Sequence, residues 1–464
     1  MNDVLDLTIA ELAPKLKERE LSPVEVTEAC LGRIEATEPA INAYVRVLAD
    51  EALAAARQAE VEIGAGRWRG PLHGVPVAIK DLYDLEGVPT TSSSRVRSNW
   101  TPQADGATAE RLKGAGAVIL GKTHTHEFAY GISTPTTRNP WDVERIPGGS
   151  SGGSGATVAS RGAYMAMGTD TGGSIRIPAA LCGTVGLKPT FGRVSRAGVT
   201  SLAWGLDHVG PLTRSVADAA LCLQTLAGYD PRDPGSLDEP VPDYMATLGQ
   251  DVRGVRIGVP ETYYFDHVEP AVAEAVRSAL ARLEAMGAAL VPVEIPLPDQ
   301  IMAVEFAICL PEASAYHRQM LRATPDAYTE DVRLFLEAGE MIPAVTYLQA
   351  LRVRALIQDG FHRLFDEVDV IAAPTVAAVA TKAGATDVTW PDGTVEGLTS
   401  VYVRLSAPAN ITGLPSISLP CGLSAERLPI GMQIIGRPLD EPMILRVGDA
   451  CERESGWRSQ RSPI

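Results

Sequence analysis

Residues 147–162 read "PGGSSGGSGATVASRG", with two adjacent serines, Ser150 and Ser151, set among glycines. A second Gly-Gly-Ser follows at residues 172–174, after an apolar stretch of small residues. A surface linker tolerates such glycines because it is never ordered. An active-site loop uses them because bare backbone approaches a ligand closely and tolerates positive φ. The apolar context favours the active-site loop.

The whole chain has the composition of an ordinary soluble protein. Its 464 residues are 45% hydrophobic and 21% charged, enough for one large α/β core or for two or three smaller domains. No apolar run reaches the roughly 18–20 residues that a membrane helix needs. The N-terminal segment is amphipathic and charged, without the apolar core of a signal peptide. The sequence therefore predicts a cytoplasmic protein that does not enter a membrane.

The formal net charge is −16, and no basic run or arginine-rich arm interrupts the acidic balance. Direct binding of nucleic acid is disfavoured, because phosphate recognition rests on basic patches. The six cysteines are scattered without a Cys-x-x-Cys pair, which argues against a zinc knuckle or a disulfide framework.

The first 64 residues predict three helices. Thr8 and Glu11 form a capping box, although Pro14 is expected to limit that helix to a short first turn. The second helix has Ser22 as its N-cap and Pro23 at its first position, and the third ends at Gly64. Beyond them, "GVPVAIKD" and "GAVILGKTH" are predicted buried strands around the helix "ATAERLKGAGA", a unit typical of α/β folds.

The same alternation continues to the C-terminus. Strands are predicted at "AYMAMGTD", "VRIGVPE", "VDVIAAPTV", "PSISLPCG" and "IGMQIIG", with helices at residues 215–228 and 269–287. Residues 229–239 are turn-rich, either a boundary or a long loop. We predict one α/β domain over residues 1–464, with a catalytic core at about 65–230, a helical substrate-side segment at about 300–365 and closing strands at about 366–440.

Several familiar motifs are excluded. No lysine sits where a Walker loop requires one, the loop is misplaced for a dinucleotide fingerprint, and "GGSSGG" is not a Gly-x-Ser-x-Gly elbow. The seven histidines are enough to allow a Ser-His-Asp triad, but no pattern in the sequence indicates one. His124 and His126 are two residues apart and share a face only on a strand, without an evident third metal ligand.

A serine nucleophile needs a base, and an uncharged lysine is an alternative to histidine. Lys80 ends the apolar strand "GVPVAIKD", where burial would lower its pKa. The other interpretation is that Lys80 emerges into solvent at the strand end. On the isolated motif, the lysine that emerges into solvent is the favoured interpretation.

In this order and spacing, "GPLHGVPVAIKD", "GGSSGGSG", "GTDTGGSIRIPAALCGTVGLKPTFGRVSRAG" and "LDHVGPLTRSVADAA" resemble the amidase signature family. The resemblance covers most of residues 7–230 and resumes at "VDVIAAPT", "ANITGLPSISLPCG" and "GMQIIG". It implies one α/β domain with a twisted, mixed central sheet of about eleven strands surrounded by helices. It also implies hydrolysis of carbon–nitrogen bonds by a Ser–cis-Ser–Lys triad, without metal or cofactor.

By position, the resemblance puts the nucleophile at Ser174, the bridging serine at Ser150 after a cis peptide from Gly149, and the lysine at Lys80. An acyl-enzyme would form on Ser174. The implied oxyanion hole consists of four backbone N–H groups, those of Thr171, Gly172, Gly173 and Ser174. The residues interpreted as supports of the loops rather than as reacting groups are Ser151, Asp170, Arg176 and Asp81.

The substrate would be a small-molecule amide, with Phe128 and Tyr130 as candidate contacts. Aryl acylamides, small aliphatic amides, ureido compounds and carbamates all fit, and a homodimer is compatible with the sequence. A second hypothesis within the family is the glutaminase subunit of the tRNA-dependent amidotransferase. Against it, "SVYVRLSAPAN" has Val403, Arg404 and Ser406 but no acid, and "EDVRLFLEAG" has one arginine where that subunit has a pair. A third hypothesis is a catalytically dead scaffold, which the presence of all three triad residues disfavours.

Overall fold

The computed structural model describes residues 4–464, so the first three residues of the predicted domain lie outside the described residues. Its central element is one mixed sheet of eleven strands with helices around it. The α-helices are α1 (Ile9–Lys17), α2 (Pro23–Ile41), α3 (Ala49–Gly64), α4 (Ala107–Gly114), α5 (Gly152–Ala159), α6 (Arg176–Cys182), α7 (Val216–Leu226), α8 (Pro270–Ala285), α9 (Ile301–Ala323), α10 (Glu330–Glu340), α11 (Ala344–Glu367), α12 (Leu398–Val403), α13 (Ala407–Thr412) and α14 (Glu441–Ser455). The strands are β1 (Tyr44–Val47), β2 (Pro76–Lys80), β3 (Val118–Thr123), β4 (Met165–Asp170), β5 (Val185–Lys188), β6 (His208–Thr213), β7 (Arg256–Pro260), β8 (Ala289–Val293), β9 (Val370–Pro374), β10 (Asp387–Thr389), β11 (Val395–Gly397), β12 (Ser416–Leu423) and β13 (Pro429–Gly436).

The strand order in the sheet is β1-β3-β2-β4-β6-β5-β12-β13-β9-β7-β8, while β10 and β11 form a separate hairpin. Strand β2 is parallel to both of its neighbours, β3 and β4, and β7 is parallel to β8 and β9. The remaining pairs of the sheet are antiparallel. The predicted α/β fold with a mixed sheet of about eleven strands is confirmed.

The helix caps near the N-terminus follow the sequence closely. Thr8 forms a capping box with Glu11, and Ser22 caps α2 with Pro23 at its first position. The expectation for Pro14 was wrong, because α1 continues through it to Lys17. Its four buried residues, Ile9, Leu12, Ala13 and Leu16, pack into the core, and this packing outweighs the backbone hydrogen bond that proline cannot make.

The centre of the sheet brings three loops together. Strands β2 and β4 are parallel neighbours, so their carboxyl ends, at Lys80 and Asp170, lie at the same edge of the sheet. The loop before α5 carries the first Gly-Ser run, and the loop between β4 and α6 carries the second. Lys80 and Asp170, which are 90 residues apart along the chain, are therefore close together in the fold.

The segment predicted to be largely helical, about 300–365, consists of α9, α10 and α11. Helix α9 packs against both α10 and α11 and also against α13. Among the helices of residues 4–464, none is both long enough and apolar enough to span a bilayer.

Candidate active site

Lys80 lies at the centre of the loops at the sheet edge and is fully buried. Its Nζ lies 2.8 Å from Ser150 Oγ, 2.9 Å from Ser151 Oγ and 2.8 Å from Thr169 Oγ1. A neutral amine has two N–H donors and one lone pair, which matches three hydroxyl partners when one hydroxyl donates to it. The alternative, a lysine that emerges into solvent, does not describe this side chain.

Burial lowers the pKa of the Lys80 ammonium well below its ordinary value, although the carboxylates of Asp170 and Asp207 act in the opposite direction. Hydroxyl groups do not neutralise a charge as a carboxylate would, and no carboxylate is in direct contact with Nζ among residues 4–464. The surroundings therefore favour the neutral amine.

The peptide bond between Gly149 and Ser150 is cis, as the resemblance implies. The carbonyl oxygen of Ser150 accepts hydrogen bonds from the backbone N–H of His126 and from Thr134 Oγ1, at 3.0 Å each. A Cβ on Gly149 would lie 2.7 Å from the carbonyl carbon of Ile132, so this position excludes any side chain. These contacts fix the loop that holds the Ser150 hydroxyl against the lysine.

Ser151 has a supporting position, although it also contacts Lys80. Its backbone N–H donates to the carbonyl oxygen of Ser174 at 3.2 Å, and its Oγ lies 3.3 Å from both the N–H and the carbonyl oxygen of Thr169. Distance to Lys80 alone therefore does not separate Ser150 from Ser151. Through these contacts Ser151 ties the loop that carries Ser174 to the end of β4.

Ser174 lies between β4 and α6 with 7% of its surface exposed. Of Lys80, Ser150 and Ser174, it is the one that lines a cavity. Its hydroxyl makes no hydrogen bond to any of the residues 4–464, and the Ser150–Ser174 contact of the implied relay is not formed. Such contacts are often long in the absence of substrate and tighten in the reacting complex.

The four N–H groups of the implied oxyanion hole are not equivalent. The N–H of Gly173 donates to Asp170 Oδ1 at 2.8 Å and so differs from the prediction. Those of Thr171, Gly172 and Ser174 have no acceptor within residues 4–464. Gly173 has φ +126°, and a Cβ there would meet Ser406 Oγ at 2.1 Å, which explains why this position is glycine.

Asp170 and Arg176 form a fully buried pair beneath this loop. The guanidinium contacts both carboxylate oxygens, at 3.0 and 3.1 Å, and also donates to Asn410 Oδ1 and Gln433 Oε1. Burial opposes ionisation, but Arg176 holds the pKa of the Asp170 carboxyl well below its ordinary value. Asp170 also accepts from the N–H groups of Gly173, Ile175 and Arg176, so the pair shapes the loop, as the sequence interpretation has it.

Asp81, beside the lysine, faces away from it. Its Oδ2 accepts from the N–H groups of Thr91 and Ser93, and its Oδ1 lies 3.2 Å from Lys122 Nζ. His124 Nδ1 lies 3.2 Å from Ser93 Oγ, and His126 Nε2 lies 2.9 Å from Asp331 Oδ2. Within residues 4–464, no group of three side chains of the metal-binding types is placed to hold a metal ion.

The cavity at Ser174 encloses about 60 Å³. The predicted contact Tyr130 lines it, and its ring stacks on that of Phe335 at 5.2 Å between centroids. Phe128 lies apart from the cavity, fully buried against His317 and Tyr328. The wall includes Leu202, Glu305, Phe306, Phe335 and Val403, most of which the sequence did not single out.

Three comparisons with known proteins agree with this structure. The family profile described as Amidase matches residues 25–445. An amidase of Pseudomonas putida is 56% identical over 464 residues, covering 100% of this chain and 99% of that protein. A glutamyl-tRNA(Gln) amidotransferase subunit from Geobacter metallireducens is 42% identical over 493 residues, covering 100% of both chains.

A solved structure described as the inhibitor-bound form of a vestigial protein complex, which reveals the evolutionary origins of an s-triazine catabolic enzyme, superposes with a TM-score of 0.93. It is 35% identical in sequence, with 97% of this chain and 98% of that chain covered. The chain belongs to the amidase signature family. It is an amidase, a hydrolase of carbon–nitrogen bonds.

Proposed function

We propose that the chain is a free-standing amidase that cleaves a small amide through an acyl-enzyme on Ser174. The carrying observation is the fully buried Lys80, held 2.8 Å from Ser150 Oγ in the loop before α5. The core at about 65–230 would supply the reacting groups, and the helices at about 300–365 would shape the substrate side.

In this proposal the Ser174 hydroxyl attacks the substrate carbonyl while its proton passes to Ser150 and the proton of Ser150 passes to neutral Lys80. The carbonyl oxygen becomes an oxyanion facing the N–H groups of Thr171, Gly172 and Ser174. One such donor contributes about 3–4 kcal/mol in acyl-transfer enzymes. The carbon–nitrogen bond then breaks, and the amine leaves with the proton returned from Lys80 through Ser150. Water enters and attacks the ester carbonyl while its proton passes to Lys80 along the same route. The bond from the acyl carbon to the Ser174 oxygen then breaks, the acid leaves, and the proton returns from Lys80 through Ser150 to the Ser174 oxygen.

The experiment that tests this proposal uses a serine-directed fluorophosphonate and the variant Ser174→Ala. We expect one adduct on the wild type, mapped to Ser174 by peptide mass spectrometry, and no turnover by the folded variant. Adducts at Ser150 or Ser151, together with an active Ser174→Ala enzyme, would refute the assignment of the nucleophile.

The amidotransferase subunit is the second candidate, because relatives with that activity cover the whole chain. Two features of the structure disfavour it. Arg404 donates to Glu396 Oε1 and to the carbonyl oxygens of Tyr263 and Asp266, which leaves it bound away from the cavity. Arg333 pairs with Asp326, in the turn before α10, and with Glu337 on α10.

The purified chain alone should therefore hydrolyse a small amide, and L-glutamine should not be its best substrate. Turnover that appears only after a tRNA-binding partner is added, with glutamine as the preferred donor, would favour the amidotransferase subunit instead.

We also propose a cytoplasmic location, because all six cysteines are free thiols buried in the core. Thiols of this kind fit a reducing compartment. Fractionation of the producing cells, followed by an assay of amide turnover in each fraction, tests the location.

A further inference from the structure

Glu305 lies on α9 and forms part of the cavity wall at Ser174. Only 3% of its surface is exposed, and within residues 4–464 its carboxyl makes no hydrogen bond. Its Oε2 is completely shielded from solvent. Buried polar atoms in native proteins nearly always have a partner, so an unpartnered carboxyl in a cavity wall calls for a ligand.

The carboxyl is close to the reacting groups. A Cβ on Gly172 would lie only 2.9 Å from Glu305 Oε1, and Gly172 is two residues before Ser174. The Tyr130 hydroxyl, on the same cavity, is also buried and unpartnered within residues 4–464. Two side chains with an unsatisfied polar atom thus belong to the wall of one cavity, which also carries Thr171 and Ser174.

Within residues 4–464, no cationic side chain forms an ion pair with this carboxyl. The nearest guanidiniums are engaged elsewhere: Arg354 donates to the carbonyl oxygens of Ile411 and Gly205, and Arg176 is paired with Asp170. An unpaired carboxylate in an apolar wall is costly, and such groups take up a proton instead. Burial accordingly raises the pKa of Glu305 well above its ordinary value, opposed by Arg354 and reinforced by the charges of Asp170 and Glu312.

A protonated carboxyl has one O–H donor and one C=O acceptor side by side. The group that matches both is a carboxamide, which presents a C=O and an N–H in the same plane. We propose that Glu305 is a specificity-determining residue that binds a second, uncharged carboxamide-type group on the acyl part of the substrate, assisted by the Tyr130 hydroxyl. This inference rests on the proposed function, because it needs the scissile amide to lie at Ser174.

The test compares small diamides, from malonamide to glutaramide, with apolar isosteres in which one carboxamide is replaced by an isopropyl group. Succinamide and 4-methylpentanamide form one such pair. A site that hydrogen-bonds a substrate group discriminates strongly against an analogue that lacks it. We expect the wild type to favour at least one diamide over its isostere by about 100-fold or more in kcat/KM. The same series is also measured as protection of the wild type against fluorophosphonate labelling, so that the comparison does not depend on turnover.

Three variants separate the explanations. Glu305→Gln keeps a donor and an acceptor and should preserve the preference within about tenfold. Glu305→Leu should abolish the preference while it still hydrolyses the apolar isostere, which shows that the variant is folded and its chemistry is intact. Glu284→Leu, the same change at an exposed position of α8, should behave as the wild type.

Equal treatment of every diamide and its isostere by the wild type, in turnover and in protection, would overturn the inference. Preference for an ammonium-bearing amide such as 4-aminobutanamide or L-glutamine, lost in Glu305→Gln, would overturn it as well, because it would mean that the carboxyl binds as an anion. Each result leaves labelling at Ser174 unaffected. Failure of the labelling, in contrast, counts against the proposed function.

Discussion

Replacing Lys80 by methionine keeps the length of the side chain and removes its amine. The lysine is fully buried, and its contacts at 2.8–2.9 Å are all with hydroxyl groups, none of which can serve as the base in its place. A positioned general base contributes about 10²–10⁴-fold to the rate. We therefore expect kcat/KM to fall by at least about that factor, which equals about 2.7–5.4 kcal/mol of transition-state stabilisation.

The sign of the pH dependence follows from the lowered pKa of Lys80. The neutral amine accepts the proton and the ammonium cannot, so kcat/KM of the wild type should rise with pH through the folded-state pKa and flatten above it. Between that pKa and the ordinary 10.5, the unfolded chain binds the proton and the native state does not. The free energy of unfolding should therefore rise with pH in this window, by up to 1.36 kcal/mol per pH unit. Lys80→Met should lack this contribution.

The assay is kcat/KM against pH on one amide, with urea unfolding of each variant at two pH values. Lys80→Arg should be as inactive as Lys80→Met, because a guanidinium stays charged at any usable pH. Lys188→Met serves as the matched control, since Lys188 is equally buried but contacts the backbone carbonyls of Pro189 and Leu414. A Lys80→Arg enzyme with a near-normal rate would refute the reasoning and make the lysine a structural cation.

Three further predictions test the surroundings of the lysine. Ser150→Ala should lose several orders of magnitude in kcat while Ser151→Ala loses far less, and equal losses in steady-state assays would mean that both hydroxyls relay the proton. Arg176→Met should lower the free energy of unfolding by about 3–5 kcal/mol, because it leaves the buried Asp170 carboxylate unpaired; a urea midpoint unchanged from the wild type would show that the pair is not needed. Exhaustive chelation should leave the rate unchanged, since the proposed steps use protein groups alone, and loss of activity that returns with one added metal would disprove those steps.

Most of the sheet could be predicted from local patterns, and the exceptions have physical causes. The buried strands β2, β3, β4 and β9 are short apolar runs bounded by turn residues, the usual signal of a buried strand. Strand β6 was not predicted, because it contains Gly210 and Pro211. It nevertheless lies in the middle of the sheet, between β4 and β5. Proline in a run argues against a central strand, and here the surrounding sheet overrides that preference.

The candidate site also has residues that the sequence predicts and contacts that only the fold shows. The roles of Lys80, Ser150 and Ser174 come from long motifs that resemble the amidase signature family, and these roles stay predictions. The engagement of the Gly173 N–H by Asp170 could not be predicted, because it depends on how the turn after β4 folds back. Phe128 and Tyr130 are two residues apart, and only the left-handed conformation of Phe128 and Ala129 directs one ring into the core and the other to the cavity.

Glu305 did leave a signal in the sequence. Ile301, Val304 and Ile308 are buried on one stripe of α9, and Glu305 occupies the same stripe at helical spacing. An acidic residue at a core position of an amphipathic helix indicates either a buried ion pair or a functional group. The choice between them needed the fold, which shows a cavity beside the carboxyl and, in the part of the chain that the structure describes, no cationic side chain paired with it.

The charge states of Lys80 and Glu305 are connected through the oxyanion. An anion that forms on the substrate is stabilised most where fixed N–H groups face it in a water-poor space, and it is opposed by any negative charge nearby. A carboxylate at Glu305, whose Oε1 lies 2.9 Å from the position of a Cβ on Gly172, would place a negative charge next to the loop of the proposed oxyanion hole and would oppose the oxyanion. A protonated carboxyl removes that penalty, and a neutral lysine leaves the site able to take up the proton that the attack releases. Burial thus lowers the pKa of Lys80 and raises the pKa of Glu305, because desolvation disfavours the charged form of both groups.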